Sequence, residues 1–408
     1  MDQQSGATAP DTDTQSLGSP LAGFRIIDLT RLLPGAWCTQ MLADFGAEVI
    51  KVEQPGSGDY WRWMPPKIRH HGAQFLSLNR GKKSITLDLK TAGGREALLK
   101  LVETADILIE GFRPGVMNRL GLSTEVLHAR NPRLVVCALT GFGQEGPWSQ
   151  MAAHDLNYVG MMGLMHLVNG SRENPHANGL PIGDVGAGSL MAIAGILAAL
   201  VDAQRSGRGR FVDISIADGL LSWIGFITSR WNAPDGDTDD NPFDAPFNKP
   251  FYSVYETADG RHMVVGAYEE KFWQTLCRVL DLPQWTDRQW CEGAEEQALR
   301  ADIARAFKQR NLAEWQQIFA ENEACVTPVL STREALNSEH ARARGIVIKV
   351  DDPREGVLEH VGNPIRFGKE ARNSLDPVPS LGADTASLLT ELGYDETAID
   401  QLRQEKAI

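Results

Sequence analysis

Basic charge is scarce in this chain: 40 lysines and arginines stand against 53 aspartates and glutamates in 408 residues, a formal net charge of −13. A nucleic-acid or anionic-membrane surface needs a broad basic excess, so neither partner is expected, and an anionic ligand has to be met locally. Cysteine is sparse too. The five (Cys38, Cys137, Cys277, Cys291, Cys325) are odd in number and never form a C-x-x-C pair, which excludes a disulfide framework or a zinc site as the natural reading and fits a reducing, cytoplasmic compartment. Residues 1–20 are polar, with neither a basic nor an apolar signal region, and read as a disordered tail. The longest apolar helical stretch, Leu190 to Val201, is expected to be too short for a bilayer, and the terminal Glu-Lys-Ala-Ile is not a peroxisomal address.

Several sequence signatures are missing. The turn after the first strand reads Thr-Arg-Leu-Leu-Pro-Gly, so the dinucleotide fingerprint fails, and Glu53 reads as a strand-end surface charge rather than a ribose ligand. Gly-Lys-Lys-Ser at 81–84 lacks the first glycine of a phosphate loop. H-E-x-x-H and G-x-S-x-G are absent, which removes zinc proteases and α/β-hydrolases.

What is present is alternation. Phe24–Leu29 reads as a strand, Ala36–Phe45 as an amphipathic helix with Trp37, Met41, Leu42 and Phe45 on one face, and Glu48–Glu53 as a second strand. Further strand–helix alternation runs to a long helix, Ser189–Arg205, and a strand, Phe211–Ser215. The fold class expected is α/β, with a doubly wound, mostly parallel sheet. Residues 21–215 form the large domain and 216–244 a linker, the stretch from 231 to 250 being rich in Asp, Pro and Asn. A hairpin at Phe251–Tyr255 and His262–Val265 opens a smaller α+β domain over 245–330, and 331–408 is an irregular linker whose last helix, near Thr385–Leu392, returns to the large domain.

Three acid/base candidates stand out. His154 lies in Ala-Ala-His-Asp-Leu-Asn-Tyr; Asp184 lies just ahead of a long helix, whose N–H groups are expected to hold it ionised and to meet an enolate oxygen; Glu269 follows a strand in Val-Val-Gly-Ala-Tyr-Glu-Glu. Each also has a bland reading, as a surface histidine, a helix cap and a loop acid. Residues 60–90 hold Arg62, Lys67, Arg69, Arg80, Lys82, Lys83 and Lys90 against one acid, which reads either as a solvated face or as a seat for phosphate.

At this point the residues match a known family. Leu-Ala-Gly-Phe-Arg-Ile-Ile-Asp-Leu-Thr-Arg-Leu-Leu-Pro-Gly, Ala-Asp-Phe-Gly-Ala-Glu-Val-Ile-Lys-Val-Glu, Asn-Arg-Gly-Lys-Lys-Ser-Ile-Thr-Leu-Asp-Leu-Lys, Glu-Gly-Phe-Arg-Pro-Gly-Val and Thr-Gly-Phe-Gly-Gln-Glu-Gly-Pro resemble the class III CoA-transferase and α-methylacyl-CoA racemase family, of CaiB/BaiF type, from about residue 21 to 400. The resemblance implies a Rossmann-like large domain, a small domain and an interlocked homodimer, with the active site between the large domain of one chain and the small domain of the other. His-Asp-Leu-Asn-Tyr and Val-Gly-Ala-Tyr-Glu-Glu-Lys-Phe are similar to the racemase form, while Ala-Cys-Val-Thr-Pro-Val-Leu is common to both branches.

Carried over by motif, Asp184 matches the family's catalytic aspartate, and His154 and Glu269 match the racemase histidine and its carboxylate partner. Contacts to CoA are implied for Arg31, Leu87, Leu89, Lys90, Gly111, Phe112, Arg119 and Leu120, with Asp155 and Tyr158 near the thioester. Gln54 replaces an arginine that often contacts CoA, and Phe247-Asn248-Lys249 replaces a Gly-Gly-Ala-like run. The implied reaction exchanges the α-proton of a 2-methylacyl-CoA through an enolate, with His154 on one face and Asp184 on the other. Imidazole suits proton transfer at neutral pH. No metal or cofactor is implied, CoA being part of the substrate. The alternative is CoA transfer through an acyl anhydride on Asp184, and a catalytically idle CoA-binding subunit is a third reading.

Overall fold

Six strands, β1 (Arg25–Asp28), β2 (Glu48–Glu53), β3 (Lys83–Thr86), β4 (Ile107–Glu110), β5 (Val135–Thr140) and β6 (Phe211–Ser215), form a wholly parallel sheet in the order β3-β2-β1-β4-β5-β6. The computed structural model describes residues 18–168, 176–177, 179–232, 249–367 and 376–408. Strands of a sheet covered on both faces carry apolar residues continuously, and here neighbours part to opposite cores. Ile26 joins one core with Val49, Ile107 and Cys137, packed under the helices at 32–44 and 191–206; Ile27 joins the other with Ile50, Leu108 and Val136, under the helices at 92–103 and 396–404. The doubly wound α/β expectation is met.

Two compact units emerge, one of Met1–Met165, Ala177–Ile224 and Gly345–Ile408, the other of His166–His176 and Gly225–Arg344. The second is built on the antiparallel sheet β7 (Tyr252–Glu256), β8 (His262–Gly266) and β9 (Val326–Pro328). Its own core includes Phe251, Met263, Trp273, Phe307 and Trp315. The tail at 1–17 and most of the 231–250 stretch, including Phe247 and Asn248, lie outside the described residues.

Several local expectations change. Residues 216–228, placed in a linker from sequence, form the helix Ile216–Thr228. The proline-bearing stretch after 330 holds a hairpin, β10 (Val347–Asp352) and β11 (Gly356–Val361). Its tip is fastened by Glu355, which accepts from the backbone of Arg69 and His70 and meets His71 Nδ1 at 2.7 Å. The long apolar helix begins earlier than expected and runs unbroken from Gly183 to Ser206, 24 residues, long and apolar enough to cross a membrane by length and composition. The shorter span read from sequence is thus corrected. In this fold Ala192, Ile193, Ile196, Ala199, Leu200 and Ala203 pack into the first core.

Candidate active site

The strand order reverses between β1 and β4, where carboxyl ends of neighbouring strands splay and leave a crevice. Such a crevice is present, open to solvent, between the ends of β1, β2 and β3 and the segment after β4. Arg31, Leu87, Leu89, Lys90, Phe112 and Leu120, all named from sequence, line it together with Gln54. Gly111 precedes Phe112 in the chain, and Arg119 is exposed on the short helix Val116–Arg119 that supplies Val116 to the wall. At its mouth Leu32 takes a left-handed φ of 62°. For a residue with a Cβ this costs roughly 1–2 kcal/mol, which the packing beneath must sustain.

Beneath the crevice lies a buried charge network. Asp28 accepts from Thr30 N and Oγ1 (2.9 and 2.6 Å), Thr39 Oγ1 (2.7 Å) and Lys82 Nζ (3.2 Å). Lys51 donates to Thr30 O at 2.9 Å and pairs with Asp59 at 3.2 Å. Burial alone would raise the Asp28 carboxyl, but Lys51 and Lys82 outweigh it and bring it down to about 2; burial draws Lys82 down to about 8. Glu53 holds Arg62 by two bonds, 2.8 and 2.6 Å, and accepts from Ser84 Oγ and Asp59 N. It is 4% exposed, which corrects its reading as a surface charge.

The same network explains the basic run at 60–90. Arg62 is taken by Glu53, Arg80 by Asp44 and Lys82 by Asp28 inside the fold, and Lys83 meets Glu48 at a partly exposed site, so four of the seven basic groups are spent on acids of the chain itself. Lys90 alone of that run lines the crevice.

Asp184 stands elsewhere in the first unit, on a wide π-helical turn, Gly183–Leu190, that leads into the long helix. Ser189 Oγ ties this turn to Pro34 O at 2.7 Å, and so to the helix that begins at the crevice mouth. Asp155, first residue of the helix Asp155–Met161, accepts the Asp184 N–H at 2.8 Å. Half-buried and beside a second carboxylate, Asp184 is pushed up to about 7, first by burial and then by Asp155. The sequence expectation of a carboxylate held ionised by helix N–H groups is therefore overturned. Two N–H groups of the turn are engaged, Asp184 N by Asp155 at 2.8 Å and Val185 N by Pro181 O at 3.1 Å, which removes these two from an enolate cradle.

Tyr158 is buried on the same short helix, donates to Ala153 O at 2.9 Å, and is raised to about 12 by burial, Asp184 and Asp155. Its phenol group lies where a side chain on Gly141 would be, the hydroxyl 2.3 Å and the ring 2.4 Å from an ideal Cβ. His154 precedes that helix, exposed, with its backbone N–H on Asn157 Oδ1 at 3.0 Å. Asp155, Tyr158, Asp184 and the start of the His154 helix are thus brought together. Glu269 belongs to the second unit, exposed between β8 and the helix Glu270–Val279. There its charge, after burial, helps to raise the Cys325 thiol.

One further acid escaped sequence reading. Glu110, at the end of β4, accepts Phe112 N–H at 2.6 Å and is raised to about 7 by burial and by Asp213. A strand-end glutamate with no periodicity around it gives no signal of this.

Residues 21–385 match the model of the family described as CoA-transferase family III. The chain is 36% identical over 403 residues to human α-methylacyl-CoA racemase, covering 95% of this chain and 97% of that one. It is 31% identical over 410 residues to mouse succinyl-CoA:glutarate CoA-transferase, covering 96% and 91%. The crystal structure of a CaiB/BaiF family protein from Brucella suis superposes with a TM-score of 0.81 at 30% identity, covering 92% of this chain and all of that one.

Proposed function

For a chain that belongs to CoA-transferase family III, we propose the racemase branch of the chemistry: interconversion of 2-methylacyl-CoA stereoisomers by α-proton exchange. The observation that carries this reading is the Asp184 carboxyl, raised to about 7 by burial and by Asp155. A group titrating near neutrality both takes and returns a proton, which is what racemisation asks of it. The 36% identity to a racemase supports the same choice.

In the proposed step one base removes the α-hydrogen, the C–H electron pair passes into the thioester carbonyl as an enolate, and the acid on the opposite face delivers a proton to carbon. His154 serves one face and Asp184 the other, each contributing on the order of 10²–10⁴ in rate. CoA enters as part of the substrate, its nucleotide in the crevice at Arg31, Leu87, Lys90 and Phe112. Glu269 is assigned to orient His154, reaching it from the second unit of a partner chain in a homodimer. Asp155 holds the Asp184 turn, and Tyr158 packs beside it.

Incubating enantiopure 2-methylacyl-CoA in D₂O tests the reading: racemised, α-deuterated product is expected. CoA exchange between two acids without α-label would instead support the second reading, in which ionised Asp184 attacks the thioester; the 31% identity to a CoA-transferase favours keeping it in view.

A further inference from the structure

The connection between β8 and the helix at 270–279 carries Glu269, and its backbone is tied down from a distant segment. Gln289 is 7% exposed, and its side-chain amide donates to Ala267 O at 3.1 Å and to Tyr268 O at 2.7 Å. Elsewhere in the turn, Gly266 N donates to Cys325 O from the segment leading into β9, Gly266 O accepts from Tyr268 N, and Glu269 O accepts from Phe272 and Trp273 N. One amide therefore serves the two carbonyls immediately before Glu269. The neighbouring Trp290 ring packs edge-on against Phe251 (4.7 Å) and Tyr268 (5.6 Å), so the same segment grips the turn by apolar contact as well.

We infer that Gln289 is a positioning residue for Glu269: it fixes the backbone from which that carboxylate projects, and so sets where the carboxylate meets the proton-transfer histidine. This rests on the role proposed for Glu269. An amide is suited to the task because its two N–H groups can satisfy two carbonyls at once, one buried and one partly so, without bringing a charge. A displacement of about 1 Å at a reacting group costs on the order of 10²-fold in rate, which sets the scale of the effect.

The test is a double-mutant cycle in full-length protein, with α-deuterium incorporation into 2-methylacyl-CoA as readout. Gln289→Met keeps the volume and removes both donors; kcat is expected to fall about 10- to 100-fold with KM within about 2-fold. In a Glu269→Gln background the same change is expected to cost nothing further. Gln289→Glu supplies a donor only when protonated, so its activity relative to wild type is expected to rise as pH falls, a readout available even if the Met variant does not fold. An equal loss from Gln289→Met in both backgrounds, unchanged kcat, or a pH-independent Gln289→Glu ratio overturns the inference while leaving the racemase reading intact. Wild-type protein that transfers CoA without α-labelling fails the racemase reading itself and takes the inference with it.

Discussion

Asp155 accepts a hydrogen bond from the Asp184 backbone while its charge raises the Asp184 carboxyl: one residue fixes both the place and the proton affinity of its neighbour. The two roles are separable. Asn at 155 keeps an oxygen for the Asp184 N–H and discards the charge. In Asp155→Asn the limb of the pH–kcat profile set by Asp184 is expected to move to lower pH, with kcat at pH 8 within about 10-fold of wild type. Burial is the larger cause of the raised value, so the limb should stay above the ordinary aspartate range. A profile unmoved by the substitution would mean that Asp184 does not titrate in turnover.

The same carboxyl writes a signature on stability. Its folded value, about 7, lies above the ordinary 3.8, so between these pH values the native state binds more protons than the unfolded one. Stability therefore falls as pH rises through that window, and the penalty is complete above it. Asp184→Asn removes the ionisation. The variant is expected to match wild type near pH 4 and to exceed it at pH 8, by at most about 4 kcal/mol for a half-buried group. Urea unfolding at a series of pH values measures this, and a variant that is less stable than wild type at pH 8 would count against it.

Much of the first unit was legible in the sequence because a doubly wound sheet writes itself as alternating apolar strands and amphipathic helices. The crevice was not legible, because it is located by a strand order that the sequence does not state; family motifs nonetheless named Arg31, Lys90 and Phe112, which line it. Pairing between charges was not legible. Arg62 and Glu53 are nine residues apart and Arg80 and Asp44 thirty-six, and nothing in either neighbourhood marks the partner. The proton affinity of Asp184 was misread for a related reason, because helix polarity is visible in sequence while burial beside Asp155 is a fact of tertiary packing. The 347–361 hairpin was missed because surrounding prolines read as irregular chain.

Glu53 and Arg62 carry the next expectation. Their side chains are each 1% exposed and joined by two bonds, so removing one charge leaves the other buried alone. Breaking such a pair costs about 3–5 kcal/mol. Glu53→Gln is expected to lower the urea midpoint accordingly with an unchanged slope. Arg62 holds the Glu53 carboxyl below its usual range despite burial, so the pair's contribution is present above the glutamate range and lost as pH falls through it. The gap between variant and wild type should therefore narrow on acidification.

The crevice wall offers a test of the proposed nucleotide seat that leaves the acid/base groups untouched. Gly94, at the start of the helix Ala92–Glu103, lies so close to the preceding loop that a Cβ would stand 2.2 Å from Asp88 O and 2.8 Å from Asp88 C. These are backbone atoms and cannot rotate away. The loop is also held from the far side, where Asp88 N donates to Ala407 O at 2.8 Å. In Gly94→Ala the helix and the 88–90 segment must part, which moves Leu89 and Lys90 at the crevice wall. Overpacking of this kind costs about 1–3 kcal/mol of stability. If the CoA portion of the substrate sits there, KM for the thioester is expected to rise several-fold while kcat holds, because the displaced groups bind ground state and transition state alike. A fall in kcat at constant KM would place the crevice's contribution at the reacting carbon instead, and the nucleotide would have to be sought on another surface.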